Sequence, residues 1–190
     1  MWPLQKDGSI SDRTAQPESQ RDPLIAFYRD GAQDDAGRTW EQIVLWPDER
    51  LEAVHDFIQW LFPLPEPSGA NPWAPTLNPA SINAFHASQE MRDRLRRSFL
   101  RMLRFYGLQW TDGNRVERTA AFADCAENWL WPGNHNHLRL TRILRSLRLL
   151  GLEAESAALF AALQAVQEEF PNRITPRTFS FWREAAPPIK

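Results

Sequence analysis

The chain carries one cysteine, Cys125, in 190 residues, so no internal disulfide can form, and no Cys/His set stands at zinc-ligand spacing. Long apolar runs are missing too. The longest, Ala157 to Leu163, is seven residues, where a membrane span needs about 20. Lys6 and Asp7 interrupt the N-terminal stretch before any apolar signal core develops, so a cytoplasmic location is expected. No alternation of period two persists over five residues, which argues against strands. No nucleophile, base and orienting group stand in a recognisable arrangement, so the reading leans away from an enzyme, and no cofactor or metal site is expected.

What is present is apolar bulk. Hydrophobic residues make up 43 % of the chain, with nine Trp and eleven Phe, enough to fill one core. Residues 1–20 are polar and aperiodic and read as a flexible arm; residues 21–190 read as a single helical domain. Helix signals recur along that domain. Asp22-Pro23, Asn78-Pro79 and Thr175-Pro176 each pair a capping side chain with a first-position proline. Ser88 caps a long helix whose stripe is Met91, Leu95, Phe99, Met102 and Tyr106, ended by Gly107. Further helices are expected from Pro47 through Phe62, about Val116 to Trp131, Leu138 to Leu150, and along the Ala-rich segment after Gly151. Asp112-Gly113-Asn114 reads as a turn. The expected fold is all-α, an irregular single-domain bundle of about seven to nine helices separated by prolines.

Charge is unevenly spread. Residues 1–90 hold 14 acidic against 6 basic residues, and residues 91–150 hold 5 against 12. Either the two segments dock on each other, or the basic one meets an outside partner. Arg94, Arg97, Arg101 and Arg104 share one helix face, and Arg139, Arg142, Arg145 and Arg148 lie on an acid-free helix. Forked guanidinium groups suit carboxylate or phosphate, so an acidic peptide, a phosphorylated group or nucleic acid is an alternative partner class.

Single residues are weighed the same way. Cys125 falls on the Phe122/Trp129 face and reads as a buried, inert thiol. His55 shares a face with Leu51 and Ile58 and reads as a core histidine. In Asn134-His135-Asn136-His137 two histidines two residues apart lack a third ligand, so capping is favoured over metal. The same four residues, with Arg139 and Arg142, crowd the start of a helix with donors, where unpaired amides attract anions; an anionic ligand is expected there. Gln59 and Trp60, beside a rigid proline-rich stretch, are candidates to line a peptide groove.

Three stretches, Ile58-Gln-Trp-Leu-Phe-Pro-Leu-Pro-Glu-Pro-Ser-Gly-Ala-Asn-Pro72, Leu103-Arg-Phe-Tyr-Gly107 and the run from Asn134-His-Asn-His-Leu-Arg-Leu-Thr-Arg142 to Leu152, together resemble the conserved region of the opioid growth factor receptor family. The resemblance spans about Leu24 to Trp182. It implies a receptor-like peptide- or protein-binding module. The animal receptor of the family binds the pentapeptide Met-enkephalin, restrains proliferation and is associated with nuclear and perinuclear membranes, which would allow a nuclear or peripheral-membrane location. The resemblance supplies no catalytic residues. Its motif residues Gln59, Trp60, Pro63, Asn71 and Arg142 are open to a structural reading as well as a functional one.

Overall fold

A computed structural model describes residues 22–186; the proposed arm at residues 1–20 lies outside them. Among the described residues there are ten helices and one two-stranded antiparallel sheet. The bundle is thus mostly helical, as expected, with more and shorter helices than the hydrophobic pattern suggests, and with a hairpin that the pattern does not announce.

Local capping explains where most helices begin. Asp22 accepts from the amides of Leu24 and Ile25 to start α1 (Pro23–Arg29), and Thr39 and Gln42 form a capping box on α2 (Trp40–Val44). The stretch from Pro47 to Phe62 does not form one helix. It divides into α3 (Asp48–Ala53) and α4 (Ile58–Leu61), with Val54 extended between them. Two arginines hold the break open: Arg139 donates to the carbonyls of Leu51 and Val54, and Arg38 grips the Asp56 carboxylate at 2.7 Å. His55 consequently sits exposed in the break instead of on a core face.

Asn78 and Ser81 box the start of α5 (Pro79–Ala87), and Ser88 caps α6 (Gln89–Phe105), the central helix. Beyond Gly107 come β1 (Leu108–Thr111) and β2 (Arg115–Arg118), paired Leu108 to Arg118 and Trp110 to Val116 across a turn with Asn114 at φ 53°. Four-residue strands are too short to show alternation in sequence. The helix expected at Val116 to Trp131 therefore shrinks to α7 (Phe122–Ala126). Thr119 stops a longer one by turning both its amide and its hydroxyl onto the Gly107 carbonyl. The chain then forms α8 (Asn136–Leu149), α9 (Glu153–Glu169) and α10 (Pro176–Ala185), with α8 packed against both others.

The core is one cluster running from α1 to α10. Four of its buried indoles find acceptors for their N–H groups: Trp40 on Ser98 at 2.9 Å, Trp60 on Asp35 at 2.9 Å, Trp129 on the Tyr106 carbonyl at 3.2 Å and Trp182 on the His137 carbonyl at 3.0 Å. The acidic and basic segments dock on each other. Arg101 meets Asp48 at 2.6 Å, Arg94 meets Glu41 at 3.6 Å, and Arg145 meets Glu66 at 2.6 Å. Arg97, though exposed, lies over the Trp40 ring at 4.7 Å, and Arg104 is exposed as well.

Candidate functional site

The proline-rich connection after α4 runs back across the first two turns of α8. Part-buried polar contacts tie its far end to the loop before α2. Trp60 and Asn71 converge on the two oxygens of the Asp35 carboxylate, and Asn71 also accepts from the amides of Trp73 and Ala74. Asp35 lies in a turn-rich loop and carries no signal in the sequence that would mark it as the anchor of this motif.

Between the connection and α8 lies an open cleft of about 480 Å³. Ile58, Leu64, Pro67 and Leu138 give it apolar walls, and Leu138 is 67 % exposed. Gln59, Ser68, His55, His135, Arg139 and Arg142 supply its polar atoms. Of the eight residues picked from sequence, Gln59, His135, Arg139 and Arg142 meet in this cleft. Trp60 points the other way, into the core against Phe27. Asn136 is fully buried behind the cleft. Asn134 and His137 face a smaller cleft of about 270 Å³, shared with Leu138, Arg177 and Phe181.

The mouth of α8 is closed by protein groups. Asn134 Oδ1 accepts from the Asn136 amide at 2.7 Å, the Asn134 carbonyl from that of His137, and the His135 carbonyl from those of Leu138 and Arg139. The unpaired amides expected at this helix start are therefore taken up. Glu52 of α3 occupies the place an anion would hold, accepting from Asn136 Nδ2 at 3.0 Å and lying 3.3 Å from His135 Nε2. Glu52 lies in the last turn of the short α3, and no local sequence pattern marks it as the partner of a helix 84 residues away.

Arg139, 5 % exposed, spends its guanidinium on the fold. It donates to the Leu51 and Val54 carbonyls, to Asn136 Oδ1, and approaches His55 Nδ1 at 3.1 Å. Arg142, one turn on, is different. Its single hydrogen bond among the described residues runs from Nη1 to the Phe62 carbonyl at 3.2 Å. Burial lowers its pKa to about 10, with Arg145 adding repulsion, so the group remains a cation at neutral pH. Gln59, 4 % exposed, donates through Nε2 to Ser68 Oγ at 3.1 Å, while its Oε1 is shielded from water and has no donor.

Among the described residues no group of three His, Cys, Asp or Glu is placed to hold an ion. His55 and His135 stack edge to face at 4.9 Å. Burial lowers the His135 pKa, with Glu52 opposing and Arg139 and His55 assisting. Cys125 is half-buried, not fully enclosed as expected, and burial together with Asp48 and Asp124 raises its thiol pKa. That disfavours the nucleophilic thiolate.

The family model described as the opioid growth factor receptor (OGFr) conserved region matches residues 32–175. The mouse opioid growth factor receptor is 44 % identical over 134 residues, covering 67 % of this chain and 21 % of that protein. The human receptor is 38 % identical over 159 residues, covering 79 % and 23 %. A frog protein (Xenopus tropicalis), opioid growth factor receptor-like protein 1, is 41 % identical over 130 residues, covering 65 % and 25 %. The chain thus spans about a quarter or less of the length of these relatives. No solved structure matches it.

Proposed function

Because the chain belongs to the opioid growth factor receptor conserved-region family, we propose that it is a peptide- or protein-binding module whose ligand lies in the cleft between the proline-rich connection and α8. The observation that carries this reading is the convergence of two family-like stretches, Ile58 to Pro72 and Asn134 to Leu152, on one open cleft of about 480 Å³. Clefts of roughly 300–1,000 Å³ with apolar walls and a few polar groups are the usual form of a ligand site. The names of the relatives speak of a receptor for an opioid growth factor; for this chain, which covers a fraction of their length, only the ligand-binding part of that description is taken over. No helix among the described residues is long and apolar enough to cross a membrane.

Hydrogen exchange on the full chain tests it, with an opioid pentapeptide and a mixed pentapeptide pool as probes. Slowed exchange at Gly69, Ala70 and Leu138 to Arg142 is expected. Protection confined to other surfaces, or none with either probe at millimolar concentration, would refute the reading.

A further inference from the structure

On the cleft face of α8, Arg139, Arg142 and Arg145 follow one another at steps of three. The two outer members are neutralised or fully engaged: Arg139 by backbone carbonyls and the nearby Glu52, Arg145 by Glu66 at 2.6 Å. The middle one is not. Arg142 is a half-buried cation with one carbonyl contact, and the carboxylate nearest to it in effect, Glu66, is already held by Arg145. A guanidinium presents five donors in a fixed fork, so most of this fork is left for something outside the chain.

The same cleft holds a second unusual group. The Gln59 side chain is more than nine-tenths buried, lines the same cleft, and its Oε1 lacks any donor. Leaving such an acceptor unpaired is unfavourable, so a ligand that shifts the side chain enough to deliver an N–H there is favoured. The required ligand therefore has an anion and a neutral N–H donor close together, flanked by an apolar group for Ile58, Leu64 and Leu138.

A phosphate dianion supplies the anion but no N–H, and phosphate recognition usually enlists a cluster of arginines. A lone free arginine beside an orphan amide oxygen fits the end of a polypeptide better. We propose that the cleft captures the free C-terminus of a peptide, Arg142 holding the terminal carboxylate and Gln59 accepting the last peptide N–H. This rests on the reading of the cleft as the peptide site and specifies which part of the peptide it reads. Chain-terminal carboxylate capture by donors at a fixed site is a recognised mode of peptide binding, and bidentate Arg–carboxylate pairs give it geometric selectivity.

The test uses the full chain and two pools of N-acetylated hexapeptides, identical in their randomised last four positions and ending in a free carboxylate or in a carboxamide. Retention of the acid pool at least about tenfold above the amide pool is expected, because the amide cannot form the charged hydrogen-bonded pair. The preference should fall with added salt, vanish in Arg142→Gln and survive in part in Arg142→Lys. Equal retention of acid and amide pools would overturn the C-terminal inference while leaving peptide binding intact. Retention of neither would remove both. Displacement of the acid pool by inorganic phosphate at equal concentration would also overturn it, in favour of a simple anion site. Should Arg142→Gln not fold, wild-type hydrogen exchange decides: acid-pool protection at Arg142 that the amide pool fails to produce supports the proposal, and identical footprints refute it.

Discussion

Gly107 ends α6 at φ 74°, and a Cβ added there would stand 2.7 Å from the Phe122 backbone and 2.9 Å from the Cys125 Cβ. Both features matter: the left-handed conformation disfavours any other residue, and the contact partner is backbone, which cannot swing aside. Gly107→Ala is expected to cost about 2–4 kcal/mol, the sum of conformational and overpacking terms, read as a lower denaturant midpoint with an unchanged slope. This accounts for the glycine of the Leu103-Arg-Phe-Tyr-Gly107 stretch by packing alone. The same closeness sets the environment of Cys125, whose backbone α7 presses against the end of α6.

At the scale of elements, one side chain decides how α3 and α4 meet α8. Arg139 satisfies carbonyls at the end of α3 that would otherwise be orphaned at a helix terminus. Its charge is balanced at a distance by Glu52, 3.8 Å from Nη1. Arg139→Ala leaves those carbonyls and the Asn136 side chain with a lost donor, and a loss of about 3–5 kcal/mol is expected from equilibrium denaturation, in the range for breaking a buried ionic contact. Arg139→Lys should recover less than half, because an ammonium cannot reproduce the fork. Arg142→Gln, with one carbonyl contact to lose, should melt close to wild type. The contrast between neighbouring arginines separates tying the fold from meeting a ligand.

Across the whole molecule, pH acts through buried imidazole. His137 is 3 % exposed, wedged edge to face against Trp182 at 5.4 Å and Trp129 at 6.5 Å, with neither ring nitrogen hydrogen-bonded in good geometry. Burial lowers its pKa despite the opposing Trp129 carbonyl, and His135 adds repulsion. The unfolded chain, with histidine near its ordinary value of about 6.5, then binds more protons than the folded one. Stability is therefore fully present above about pH 6.5 and is lost as pH falls below it. Melting temperature should decline between pH 7 and 5.5, before the carboxylates titrate, and His137→Phe should flatten that decline. His135 pushes in the same direction, partly offset by Glu52. An unchanged slope in His137→Phe would show that another group carries the dependence.

The sequence by itself determined the helical character, the starts of α1, α5, α6 and α10, the turn at 112–114 and the charge asymmetry that left the docking of an acidic segment on a basic one as one of two readings. Caps and turns act over two to four residues, and opposite charges attract whatever the path between them, so both are legible along the chain. Only the tertiary structure decided the break between α3 and α4, the hairpin, the exposure of His55, the inward turn of Trp60 and the cleft itself. Those depend on pairs such as Arg139 with Leu51 and Asn136 with Glu52, 88 and 84 residues apart. Whether an arginine is free or engaged is a property of its partner's position in space. Spacing along α8 makes Arg139, Arg142 and Arg145 equivalent; the fold alone leaves Arg142 without a carboxylate, because the segment that reaches it offers a carbonyl instead.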